Sequence, residues 1–220
     1  MQHPPLEFGR TVTSSYFHFG RHRVQSLVGW FKWSMTEYHP SFWRVGHHSV
    51  IQRRYDGSVD FAQDWNNYTH GFGFLDTEFW IGNDIIHQLT SLGRTSLLVH
   101  LHDHYGTFKY AHYDNFEVES ESRKFQLHIS GYSGTAGDSL GIASDTNFST
   151  IDQDNDQYIK GNCVAMKGKG GWWFKNCTPS ALNGQYCNIG IQGHQCNRWH
   201  KFEEDDRGMA KTLLLIRRND

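Results

Sequence analysis

Gly131-Tyr-Ser-Gly-Thr-Ala-Gly-Asp-Ser-Leu140, continued by Phe148-Ser-Thr-Ile-Asp152-Gln-Asp154-Asn-Asp156, Asn162-Cys163, Gly171-Trp-Trp-Phe174, Asn176-Cys177 and Leu182-Asn-Gly-Gln-Tyr186, is the stretch that decides the reading of this chain. It sets three alternating carboxylates beside a pair of cysteines and a block of aromatic residues. Alternate residues of an extended or turning segment can point oxygens at one centre, and a hard divalent cation takes several such oxygens, so calcium is the natural candidate for the spacing of Asp152, Asp154 and Asp156. An EF-hand loop counted from Asp152 needs Gly at its sixth position and Glu at its twelfth, where Gln157 and Cys163 stand. The run is therefore a calcium loop of another kind or a solvated acidic turn.

The surrounding composition belongs to a folded domain. The chain has 220 residues, 37% hydrophobic and 15% aromatic, which suits one large domain or two small ones with a substantial core. A net charge of −2, from 21 basic and 23 acidic residues, supplies no overall basic field for nucleic acid or anionic lipid. No apolar stretch approaches the length of a bilayer-spanning helix, so membrane insertion is not expected. The first 25 residues lack the apolar core and small-residue ending of a signal peptide; the expectation is a leader missing from the sequence or an irregular start.

Cys163, Cys177, Cys187 and Cys196 all fall in the last third of the chain. Cysteines closing short loops are the usual staple of a loop-rich extracellular region, and the spacings lack the tight Cys-x-x-Cys or Cys/His pairs that zinc prefers. Sequons at Asn67, Asn147 and Asn176 permit glycosylation.

Residues 1 to 48 show no clear period. From Ser49 the pattern becomes regular: Ser49 to Arg54 reads as a strand, Tyr55-Asp-Gly-Ser58 as a turn, and Phe61 to Tyr68 as a short helix with Trp65 and Tyr68 on one face. Asn83 to Thr90 reads as an amphipathic helix after Gly82. Thr95 to Asp103, Thr107 to Glu119 and Lys124 to Ser130 read as antiparallel strands, and the dense apolar run Lys211 to Arg217 as a final strand buried in the same sheet. The expected fold class is α+β: a central antiparallel sheet over about 49 to 130 plus 211 to 217, short helices, and loops over about 131 to 210 that carry the function.

Taken together, Val50-Ile-Gln-Arg-Arg54, Asp56-Gly-Ser-Val-Asp-Phe61, Gly71-Phe-Gly73, Glu78-Phe-Trp-Ile-Gly-Asn83, Ile86-His87, Tyr132 to Leu140, Trp172-Trp173 and Leu182-Asn-Gly184 resemble the fibrinogen carboxy-terminal domain, shared by fibrinogen chains, ficolins, tachylectins, angiopoietins and tenascins. The resemblance runs from about Ser49 to Arg217. It implies calcium as cofactor, held by the side chains of Asp154 and Asp156 and the carbonyl of Tyr158, with the carbonyl of Lys160 or of Ile159 as fourth ligand and Asp152 nearby. It implies a Cys163–Cys177 disulfide around the ligand loop, with a cis bond between Asn176 and Cys177. A private Cys187–Cys196 disulfide is the simplest account of the other two cysteines.

In acetyl-binding members, a tyrosine four residues after the first cysteine and a histidine after the second shape the pocket. Lys167 (or Gly168) and Thr178 stand there, so the pocket expected from the resemblance is Asn176, Cys177, Thr178 and Trp199, without those two groups. The family's first cysteine pair and Gly-Gly-Trp are also missing, with His47-His48 in their place.

Two readings follow: a secreted, calcium-stabilised lectin for acetylated or otherwise anionic glycans, or an extracellular protein ligand or matrix module of angiopoietin or tenascin type. In the lectin, weak single-site affinity would be raised by multivalent display; no heptad pattern precedes the domain, so any family-like oligomerising stalk is expected outside this chain. A remote third is a serine esterase, since Gly137-Asp-Ser-Leu140 spells such a signature with Ser139 as nucleophile; Asp84-Ile-Ile-His87 is the available source of a base, and the domain is read as non-enzymatic. His100, His102 and His104 alternate on a strand and read as a polar face rather than a zinc site.

Overall fold

The computed structural model describes residues 48–219, so the expected divergence of residues 1 to 48 lies outside the described residues but for His48. In chain order the elements are β1 (His48–Arg54), α1 (Trp65–His70), β2 (Phe72–Gly73), β3 (Phe79–Trp80), α2 (Asn83–Thr90), β4 (Thr95–His102), β5 (Phe108–Val118) and β6 (Leu127–Gly134). A loop-rich stretch follows, holding β7 (Phe148–Ser149), α3 (Cys163–Met166), β8 (Trp172–Trp173), β9 (Ser180–Ala181) and β10 (Arg198–Trp199), before the chain returns as β11 (Lys211–Arg218).

Seven strands form one antiparallel sheet in the order β2-β3-β1-β11-β4-β5-β6. The last strand thus fills the centre, pairing Leu214 with Gln52 of β1 on one side and Val99 of β4 on the other. Its density of Leu and Ile suits that position, because a central strand packed on both sides keeps little of its surface in water. The functional loops between β6 and β11 are consequently anchored at both ends in the same sheet.

Two expected boundaries move. The first helix begins at Trp65 rather than Phe61, because Asp64 is its N-cap and accepts the Asn67 amide on its own carboxylate at 2.8 Å. The sixth strand begins at Leu127 rather than Lys124, because Lys124 and Phe125 turn the chain through left-handed backbone, φ 56° and 49°. That strand runs on to Gly134, so the first four residues of the glycine-rich run belong to the sheet.

An aromatic core joins sheet and loops. Phe148 of β7 lies 5.1 Å from Trp173 of β8, 5.2 Å from Tyr68 of α1 and 6.1 Å from Trp80 of β3; Trp172 and Trp173 are 5.4 Å apart. All five side chains are buried, and Trp173 Nε1 donates to the Phe125 carbonyl at 2.8 Å, so the one polar atom of that indole is satisfied. A side chain at Gly170 would bring its Cβ within 1.7 Å of the Asn183 carbonyl, so only glycine lets these two loop segments touch.

Polar residues tie the same parts together. Buried Glu78 accepts the amides of Tyr55, Asp56 and Gly57 on Oε1 and that of Val59 on Oε2, closing the turn after β1. Arg54 Nε lies 3.7 Å from Glu78 Oε2, while Arg54 Nη1 donates to the carbonyls of Leu182 and Gly184. Gln52 Nε2 donates to the Leu182 carbonyl and to Asn183 Oδ1. The Leu182-Asn-Gly184 motif is therefore a docking point for β1. Burial lowers the pKa of Arg54 below its ordinary value, and the Glu78 carboxylate acts against that shift.

Candidate functional site

The acidic run leaves β7 and turns back toward α3, and its three carboxylates do different work. Asp152 Oδ1 accepts the Trp65 amide at 3.0 Å and the Thr150 hydroxyl at 2.7 Å, so it binds the first turn of α1, not the centre shared by its neighbours. Asp152, expected near the metal rather than among its ligands, thus stands beside the acidic pair, where a helix N-terminus offers it a free donor with a positive partial charge. Asp152→Ala is expected to cost about 1 kcal/mol of stability, the usual price of an unsatisfied helix start, and to leave any calcium response intact. Chemical denaturation with and without calcium checks both halves.

Asp154 and Asp156 face each other. Asp154 Oδ1 accepts the Asp156 amide at 3.2 Å, while Asp156 accepts the Tyr158 amide on Oδ1 and the Cys163 amide on Oδ2, both at 2.7 Å. Burial raises the Asp156 pKa; the two amides oppose the shift, and the adjacent Asp154 carboxylate adds to it. The Tyr158 carbonyl accepts a long bond, 3.3 Å, from the Gly161 amide. Among the described residues no three His, Cys, Asp or Glu side chains are grouped to hold a metal, so a cation here would draw on these two carboxylates and on backbone carbonyls. The donors are all oxygen and the carboxylates are crowded, which fits a hard cation such as calcium.

Asn162 caps α3 by accepting the Ala165 amide, and Cys163 at the start of that helix is bonded to Cys177. The Gln157 amide donates to the Lys175 carbonyl at 2.7 Å, so the acidic loop and the far arm of the disulfide loop are laced together. The second disulfide, Cys187–Cys196, is also formed. No peptide bond among the described residues is cis; Cys177 instead takes left-handed backbone, φ 53°, which corrects the expectation at Asn176–Cys177. Such a conformation costs a β-carbon-bearing residue about 1–2 kcal/mol, and the disulfide and its packed surroundings hold it there.

Of the four residues expected at a ligand pocket, the structure exposes Asn176 and leaves Cys177 half-buried, but it turns Thr178 and Trp199 inward. The Thr178 hydroxyl donates to the carbonyls of Trp173 and Ser180, and Trp199 Nε1 donates to the Gly137 carbonyl at 2.8 Å. Both polar groups are used within the protein, so these residues support the loop from beneath.

Beside them lies a constellation that sequence reasoning missed. Asp206 gathers Arg198 Nε at 3.1 Å, His194 Nδ1 at 2.9 Å and His200 Nδ1 at 3.3 Å, while Arg198 Nη2 donates to the Thr178 carbonyl at 2.8 Å. No spacing in the chain announces it, because it assembles across the private disulfide loop. A cleft of about 40 Å³ opens nearby between the β4–β5 turn and that loop, lined by His104, Tyr105, Ile191 and Arg207; it is the size for a water and too small for a sugar or peptide.

The esterase reading fails on geometry. Ser139 is fully buried with its hydroxyl accepting the Lys201 amide, and His87 sits on α2 with Nδ1 against the Val118 carbonyl, so the expected base does not meet the nucleophile. On β4, His100 is buried and pushed down to about 4 by that burial, and His104 lies beyond the strand with Nε2 against the Cys187 carbonyl.

Comparison with known proteins places the architecture. Residues 43–219 match the family model described as the C-terminal globular domain of fibrinogen beta and gamma chains. Human angiopoietin-related protein 6 is 43% identical over 175 residues, covering 77% of this chain and 36% of the relative. Fibrinogen-like protein A of Apostichopus parvimensis is 47% identical over 140 residues, covering 63% of this chain and 49% of that protein. Among solved structures, the fibrinogen-like globe domain of human ANGPTL6 superposes with a TM-score of 0.75 at 41% identity, covering 79% of this chain and 78% of that one. Lamprey fibrin D-dimer, complexed with the peptide ligand Gly-His-Arg-Pro-amide, gives 0.71 at 31% identity, covering 79% and 62%. The chain spans about a third of the length of the angiopoietin-type relatives it matches. With a matching family model over most of its length, and with Arg54, Glu78, Trp173 and Asn183 building the frame that those motifs encode, the chain belongs to the fibrinogen C-terminal domain family.

Proposed function

We propose that this chain is the recognition domain of a secreted, non-enzymatic ligand of angiopoietin-related type, which binds a cell-surface protein through the loops between β6 and β11. The observation that carries this reading is the surface of those loops. Ile142, Ile151, Ile159, Met166, Ile189 and Ile191 are all exposed there, Ile159 to 95%, and aliphatic side chains held in water on a disulfide-stapled surface suit a protein partner. The angiopoietin-type relatives support the same class. In this reading Asp154 and Asp156, with the carbonyls of Tyr158 and Lys160, would hold calcium, whose charge relieves the carboxylate repulsion and fixes the loop beside Cys163.

A lectin for acetylated glycans is the second reading, favoured by the Cys163–Cys177 loop and the left-handed Cys177 at its end. It lacks the tyrosine and histidine of acetyl-binding relatives, and the hydroxyl of Thr178 is turned away. The two readings separate in one experiment. The folded domain in calcium buffer is expected to bind cells, to lose that binding after the cells are treated with protease, and to pass through an acetylated resin. Retention on the resin with elution by an N-acetyl sugar would reverse the assignment.

A further inference from the structure

The net charge of −2 conceals a separation of sign along the chain. Between Asp156 and Glu203 there is no Asp or Glu, while Lys160, Lys167, Lys169, Lys175, Arg198 and Lys201 all fall there. The carboxylates on the near flank accept backbone amides and not these cations: Asp152 from Trp65, Asp154 from Asp156, and Asp156 from Tyr158 and Cys163. Arg198 pairs with Asp206 at 3.1 Å and Lys201 with Glu204 at 3.7 Å. Among the described residues the lysines within 4 Å of a carboxylate are Lys109 and Lys201, which leaves exposed Lys160, Lys169 and Lys175 and half-buried Lys167 outside such pairs, with Lys167 feeling the Asp206 carboxylate.

Lys167, Lys169 and Lys175 lie within the loop that Cys163 and Cys177 close, and Lys160 stands three residues before it. The disulfide brings the Cα atoms of Cys163 and Cys177 to 5.2 Å, the Lys169 amide returns to the Val164 carbonyl at 2.8 Å, and the Gln157–Lys175 bond folds the far arm against the segment that carries Lys160. Behind Lys167 stand Arg198 and the two histidines on Asp206. We propose that this lysine face of the Cys163–Cys177 loop binds a linear polyanionic polysaccharide through its sulfate or carboxylate groups. Burial lowers the Lys167 pKa and Arg198 lowers it further, while Asp206 acts against both; an oxyanion beside the ammonium would act in the same sense as Asp206.

Lysine favours this occupant over an acidic protein. Lysines are depleted at the centres of protein interfaces, whereas compact ammonium charges on flexible stems accommodate repeated anions without a fixed geometry or an enclosed pocket. The binding adds matrix retention to the recognition of a cell-surface protein and does not depend on it.

The test passes the whole chain, in calcium buffer at about 0.15 M salt, over immobilised heparin, hyaluronan and polyglutamate. Because heparin carries both groups and hyaluronan carboxylates alone, retention on heparin but not hyaluronan identifies sulfate, and retention on both identifies carboxylate as sufficient. Bound protein is expected to elute as salt rises toward about 1 M, where the screening length shrinks from about 8 to 3 Å. The triple variant Lys167→Gln/Lys169→Gln/Lys175→Gln is expected to lose on the order of tenfold or more in affinity, and Lys211→Gln, an exposed lysine on β11, to bind as the parent does. Both variants are expected to melt with the parent, and the triple variant to keep binding protease-sensitive sites on cells. Passage through both polysaccharides, equal retention on polyglutamate, or undiminished binding by the triple variant would overturn the proposal.

Discussion

Glu78→Ala is expected to destabilise the domain by about 3–5 kcal/mol, the usual cost of removing one partner from a buried charged network. The carboxylate is fully buried, it closes the turn after β1 through four backbone amides, and it neutralises Arg54. Its loss leaves those amides without acceptors and a guanidinium in the interior without its counter-charge. The damage reaches the functional loops, because Arg54 also holds the carbonyls of Leu182 and Gly184. Urea denaturation measures the effect; a loss under about 1 kcal/mol would show that the network is incidental to the fold. Arg54→Ala is expected to cost a similar amount, and the double variant less than the sum of the two, since they share the network.

Trp173→Ala is the second large effect, again about 3–5 kcal/mol. The indole touches Phe148, Trp80, Phe116 and Trp172, and it donates to Phe125, so its removal opens a cavity where the loop-rich region meets the sheet and leaves a carbonyl without its donor. Because it spans both parts, near-ultraviolet circular dichroism and fluorescence should report one coincident, lowered transition. Two separated transitions would mean that loops and sheet fold as independent units.

The large elements were legible because their signals are local. Thr95–His102, Phe108–Val118 and Lys211–Arg218 carry their β-branched, aromatic and aliphatic patterns on their face, and Asn83–Thr90 its helical stripe after Gly82. The two-residue strands were not legible, since Phe148-Ser149 and Trp172-Trp173 pair only because distant aromatic residues bury them. Lys124 and Phe125 gave no warning of left-handed backbone, which glycine would have given. At the site the spacing Asp-x-Asp-x-Asp treats its three members alike. What separates Asp152 from Asp154 and Asp156 is the Trp65 amide, 87 positions away in sequence. Thr178 and Trp199 turn inward because the direction of a side chain beneath a loop is set by the acceptors that packing brings to it, which no local pattern reveals.

We propose that calcium, held along the loop from Asp154 to Lys160, organises the adjoining disulfide loop. Thermal unfolding at increasing calcium tests it directly. With a dissociation constant in the range of about 10⁻⁴–10⁻³ M common for extracellular sites, calcium at about 10 mM should add roughly 1.4–2.7 kcal/mol, raising the midpoint on the order of 3–10 °C. Asp154→Asn/Asp156→Asn should abolish the shift, while Asp152→Ala, though less stable, should keep it. An unfolding midpoint of the parent domain that is the same in calcium and in chelator would contradict the account.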